Sequence, residues 1–217
     1  MGTITRTFAN NITTSGVFKP TAFNNASFDN VTAVPSGAVE GGNMVLLSTQ
    51  TASASASISF TTGIDSTYKE YMFILNDINL SAGALQFNMS TDGGSNYNVT
   101  KTTTSFYAYH YENGTGGVLT YDNNFDLAQS TGYQYLTDAG NNTADQSFAG
   151  TLNIFNPSDT TYVKHFIANT QGMEPSSPYS INFYIAGYGN TTSAVNAIDF
   201  KVTSGTFNGT IQMFGIL

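Results

Sequence analysis

Apolar and polar residues alternate strictly from Leu85 to Ser90: Leu85, Phe87 and Met89 fall on one face, Gln86, Asn88 and Ser90 on the other. A period of two is that of a half-buried antiparallel strand. Asp92-Gly93-Gly94-Ser95 follows and supplies the positive-φ positions that a tight reversal needs, so the pattern predicts a hairpin there. Upstream, Tyr71-Met72-Phe73-Ile74-Leu75-Asn76-Asp77-Ile78 is the most apolar run; it reads as a central strand and the expected partner of residues 85–90.

The same pattern sorts the rest of the chain. Met44 to Leu47 is a short apolar strand, and Ala52 to Phe60 alternates small residues before Ile58 and Phe60, like a flat strand against another sheet. Residues 99–104 and 106–111 continue the strands, with Tyr107, Tyr109 and Tyr111 on one face. Residues 112–148 are the least regular part; long insertions of this kind carry function more often than not, and Asp126 to Gln129 could form a helical turn. Clean strands return at Thr151 to Phe155, Tyr162 to Ala168, Ile181 to Tyr188, Ala197 to Val202 and Thr210 to Ile216. About ten short strands separated by Asn/Gly/Pro turns predict an all-β fold: a two-sheet antiparallel sandwich, jelly-roll-like, over residues 43–217.

Residues 1–42 lack sustained periodicity yet hold Phe8, Phe18, Phe23, Phe28 and Val31, too apolar a set for a solvated tail. They are expected to form an extended N-terminal arm, packing either on its own domain or on a neighbouring subunit or attachment surface.

Composition narrows the function. Of 217 residues only 9% are charged and 13% are aromatic, and the formal net charge is −8. The few Lys and Arg are scattered, so no basic patch exists to bind nucleic acid or an anionic membrane surface. There is no cysteine, hence neither a disulfide framework nor a thiolate metal site. The first residues hold no apolar run that would serve as a signal peptide, and no stretch approaches the roughly 20 apolar residues of a membrane helix. These features point to assembly in a cytoplasm. The many Asn-x-Ser/Thr sequons, at Asn11, Asn30, Asn98, Asn113 and Asn208 among others, follow from the abundance of Asn, Ser and Thr.

Candidate chemistry is sparse. Asp122-Asn123-Asn124-Phe125-Asp126 spaces oxygen ligands like the start of a calcium loop, but Leu127 stands where the turn glycine belongs and Tyr133 where the closing glutamate belongs. Asx turns explain the run better. His110 and His165, the two histidines, sit inside strands, and no Gly-x-Ser-x-Gly elbow is present. Asp and Glu from different loops could converge as a glycosidase pair, though nothing singles out two of them. The expectation is a protein that is not an enzyme and needs no cofactor or metal. The tyrosines are more suggestive: Tyr107, Tyr109, Tyr111, Tyr121, Tyr133 and Tyr135, with Tyr184 and Tyr188, could stack on sugar rings or anchor a protein interface, or simply fill the sandwich.

Four segments carry a family resemblance: Met44 to Ala52, Phe60 to Tyr71, Asp92 to Tyr97 and Ser204 to Ile216. Together they resemble a small virion protein family of tailed phages, particularly phages of marine bacteria, whose closing strand usually reads Leu-Tyr-Gly where this chain has Met213-Phe214-Gly215. The likeness runs from about residue 42 to the end. It implies a β-sandwich on the virion surface: first a capsid decoration or cement protein held by the arm, alternatively a tail-fibre or receptor-binding module contacting host surface glycans. A glycan-cleaving enzyme ranks third. The implied partners are copies of itself, as a homo-oligomer and most simply a trimer, together with the major capsid protein or tail proteins.

Overall fold

A computed structural model describes residues 44–143, 145–174 and 178–217. The expected arm, with Phe8, Phe18, Phe23, Phe28 and Val31, lies outside the described residues. Twelve strands run through those that are described: β1 (Met44–Ser55), β2 (Ser57–Phe60), β3 (Glu70–Leu80), β4 (Leu85–Ser90), β5 (Lys101–Tyr111), β6 (Gly117–Tyr121), β7 (Gln134–Tyr135), β8 (Phe148–Phe155), β9 (Lys164–Glu174), β10 (Tyr179–Gly189), β11 (Ala197–Val202) and β12 (Phe207–Ile216). All pairings are antiparallel.

The strands form an eight-stranded sheet, β1-β12-β3-β8-β9-β10-β5-β6, and a four-stranded sheet, β2-β11-β4-β7. Removing β5, β6, β9 and β10 leaves β1-β12-β3-β8 and β2-β11-β4-β7, which is the strand order of an eight-stranded jelly roll. The four remaining strands arrive as two excursions, β5–β6 between β4 and β7 and β9–β10 between β8 and β11. Both extend the large sheet past the edge of the small one.

The core of the jelly roll follows from alternation on facing strands. Phe73 of β3, Phe60 of β2 and Phe200 of β11 meet edge to face or tilted, with centroids 5.2 to 6.1 Å apart, and Phe87 of β4 meets Phe166 of β9 at 5.1 Å. All five rings are buried. In β3 the inward parity changes midway: Tyr71, Phe73 and Leu75 are buried, then Ile78 and Leu80. A bulge causes the change, with Asp77 at φ 51° against Gly209 at φ 130° on β12. A Cβ on Gly209 would stand 2.7 Å from the Asp77 carbonyl oxygen, so glycine is required there.

Four local expectations are corrected. First, β3 does not pair with β4. They lie in opposite sheets, because in a jelly roll successive strands cross the sandwich. Second, the turn at residues 92–97 does not close a hairpin. Gly93 and Gly94 do take φ 72° and 88°, and Asp92 accepts hydrogen bonds from Ser90 Oγ, Asn96 N and Asn96 Nδ2 at 2.7 to 2.9 Å. The chain then leaves for β5 in the large sheet, since both edges of β4 are already taken by β11 and β7. Third, β4 is buried on both faces: Gln86, Asn88 and Ser90 are covered as fully as Leu85, Phe87 and Met89. Fourth, Asp126 to Gln129 forms no helical turn: the chain there is irregular and bends at Ala128 and Gln129, with Gln129 at φ 48°. Among the described residues no helix is long and apolar enough to cross a membrane.

Candidate functional site

The extension of the large sheet carries a cleft lined by aromatic side chains. Because β5 alternates, Tyr107, Tyr109 and Tyr111 all face the same side as the sandwich interior. Register places Phe183, Ile181 and Tyr179 of β10 beside them in turn. The small sheet does not reach this far, so the tyrosines are only half-buried. Asp122, Asn124, Phe125 and Asp138 close the opposite wall, giving a cleft of ≈ 290 Å³.

The wall is held in place by polar side chains underneath it. Asp122 N–H donates to the Ser105 carbonyl of β5 at 2.9 Å, and the Asp122 carboxylate accepts Asn124 N–H at 2.9 Å, an Asx turn. Thr103 Oγ1 accepts Leu127 N–H and donates to Gln134 Oε1, both at 2.8 Å; Gln134 Nε2 in turn donates to the Phe125 carbonyl at 2.8 Å. Phe125 is thereby stacked between Tyr135 at 4.7 Å and Phe183 at 5.3 Å, near-parallel to both. The site is built on strands and a braced loop, an arrangement that preorganises its contacts.

Inside the cleft the rings form a continuous aromatic surface. Tyr107 and Tyr109 lie near-parallel at 6.1 Å, Tyr109 meets Tyr179 at 5.1 Å, and Tyr111 stands edge-on to both Tyr109 and Tyr179 at 5.4 and 5.6 Å. Partial desolvation, then the hydroxyl and charge of Tyr111 and the charge of Tyr107, raise Tyr109 above the ordinary phenol value. Tyr109 is therefore a neutral hydroxyl donor and acceptor at any physiological pH. Apolar ring faces, phenol hydroxyls, two carboxylates and an amide together suit a flat, polyhydroxylated ligand. The carboxylates disfavour an anionic one.

The tyrosines singled out in the sequence divide three ways. Tyr107, Tyr109 and Tyr111 line the cleft, and Tyr135 supports its floor through Phe125. Tyr121 lies on the outer surface opposite Phe106, and its hydroxyl donates to Asp126 Oδ2 at 2.8 Å. Tyr133 covers the small sheet: its hydroxyl donates to Asp199 Oδ2 at 3.0 Å and Lys201 Nζ sits 3.7 Å from its ring centroid. Tyr121 and Tyr133 therefore lie outside the cleft, on other faces of the molecule. His110 and His165 are exposed, and His110 lies on the face of β5 opposite Tyr109. Sequence reasoning missed Tyr179 and Asp138 as site residues. Tyr179 could have been found from its place opposite Tyr111 once β5 and β10 were paired; no local signal marks Asp138.

A second feature is the outer face of the same extension. Phe106 and Tyr184 stack at 5.1 Å with planes 10° apart, and Tyr121, Leu119 and Ile167 are exposed around them. Comparison with protein-family models, with curated proteins and with solved structures finds no match to this chain.

Proposed function

We propose that this chain is a non-enzymatic surface protein of a phage particle whose tyrosine cleft binds a neutral glycan of the host surface. The glycan reading is carried by one observation: three consecutive inward tyrosines of β5 remain open because the large sheet outruns the small one, and a braced loop brings Asp122, Asn124 and Asp138 to face them. The virion assignment rests on the four sequence segments described above. The test is a glycan array probed with the native chain and with Tyr109→Ala. Binding to neutral host saccharides that falls at least about tenfold in the variant, ~1.4 kcal/mol, supports the reading. Indifference to every saccharide counts against it, and sugar release that disappears in Asp122→Asn would replace binding with hydrolysis.

The decoration role is a second reading, favoured by the exposed Phe106–Tyr184 stack and its apolar neighbours. In this reading the patch is covered by another copy of the chain in a homo-oligomer, which buries apolar surface that charged residues do not shield. Copy number in purified particles separates the two. Coverage of the whole capsid favours decoration, and a few copies on the tail favour receptor binding.

A further inference from the structure

Lys101, the first residue of β5, has no accessible surface. Its Nζ donates to Asn88 Oδ1 at 2.5 Å and to the Val99 carbonyl at 2.9 Å. Buried lysines ordinarily pair with carboxylates. Here the partners are an amide and a carbonyl, both neutral. Desolvation accordingly lowers Lys101 from 10.5 to about 7, so a large share of it is free amine at neutral pH. A neutral, desolvated lysine is a nucleophile.

Asn88 is held as its target. Its Nδ2 donates to the carbonyls of Tyr97 at 2.6 Å and Thr131 at 3.0 Å, which fixes the amide with Oδ1 toward the lysine; Oδ1 also accepts Met89 N–H at 2.8 Å. Cγ lies one carbonyl bond, ~1.2 Å, beyond Oδ1, so Nζ is within ~3.7 Å of it. That is close to the ~3–3.5 Å of a near-attack arrangement. Directly opposite Asn88 on β11 is Asp199, also buried. Burial raises its pKa, partly offset by hydrogen bonds from Ser59 and Tyr133.

We infer that Lys101 and Asn88 form an intramolecular isopeptide bond that joins the two sheets covalently. The amine lone pair makes the Nζ–Cγ bond, the Cγ–Nδ2 bond breaks, one Nζ proton passes to Nδ2, and ammonia leaves. No oxidant or reductant is consumed. The bond gives a cysteine-free chain what a disulfide gives others: a closed loop, here from Asn88 to Lys101, tying β4 of the small sheet to β5 of the large one.

The experiment is intact mass spectrometry of the denatured native chain after incubation at neutral pH, followed by peptide mapping. The expected result is a chain lighter than its sequence by one ammonia, with the Asn88 and Lys101 peptides recovered as one branched species. Asn88→Asp should instead lose one water, and Lys101→Arg should keep its full mass. A native chain at full mass with a linear Lys101 peptide overturns the bond. So does an ammonia deficit that persists in Lys101→Arg, since succinimides at Asn113-Gly114 or Asn208-Gly209 give the same loss without the lysine. The native measurement needs no variant to fold.

Discussion

The jelly-roll body and its four-stranded extension share one sheet but differ in what covers them. In the body, strands β3 and β12 face β2, β4 and β11, and Phe60, Phe73, Phe87 and Phe200 pack on one another, while the hydroxyl of the buried Tyr71 is taken up by the Asp65 backbone. In the extension the inward positions in the second half of β5 are Tyr107, Tyr109 and Tyr111, and in place of a second sheet they meet a loop held up by Thr103 and Gln134. The difference teaches where a sandwich can bind something. A fully covered face stabilises, while a face that outruns its partner is left with amphipathic side chains and room for a ligand.

That contrast can be broken most forcefully in the body. Phe73→Ala removes a ring packed against Phe60 and Phe200 and is expected to cost ~3–5 kcal/mol, read by denaturant unfolding. The β3–β12 bulge comes next. Gly209→Ala brings a Cβ against the Asp77 carbonyl and should cost ~1–3 kcal/mol, with strand pairing retained by circular dichroism. In the extension the order of effects reverses: Tyr109→Ala is expected to change stability by about 1 kcal/mol or less, as at partly exposed sites, while abolishing most glycan binding.

The smallest effect is electrostatic. Hydrogen bonds from Asn96 and Ser90 lower Asp92 to about 2 from 3.8. A depressed carboxylate contributes stability that is complete above its unfolded value and is lost as pH falls through the folded one. The melting temperature should therefore decline between about pH 4 and pH 2, and Asp92→Ala should flatten that part of the profile.

How much of this was legible in the sequence follows the same division. Alternation identified the strands and the inward set Tyr107, Tyr109 and Tyr111, because side-chain direction in a strand is a local property. Partners are not local. The alternation in residues 71–78 and 85–90 is compatible with pairing, yet the two segments belong to different sheets, and the same pattern fits both arrangements. The polar face of β4 read as solvent-exposed for a related reason. Gln86, Asn88 and Ser90 are buried by residues far along the chain, Thr131 and Tyr135 among them, and no neighbouring residue announces that cover. Lys101 was equally silent: a single lysine in a Thr-rich strand looks like surface, and only its meeting with Asn88 marks it out.

The central claim is that the open tyrosine face of the extension is the binding surface. It is tested most directly by calorimetric titration of one array-positive neutral saccharide into the native chain, Tyr109→Ala and Tyr121→Ala. Tyr109 and Tyr121 are both aromatic residues of the extension, but only Tyr109 lines the cleft. The account predicts native affinity in Tyr121→Ala and loss of binding in Tyr109→Ala; equal affinity in all three, or loss only in Tyr121→Ala, would contradict it.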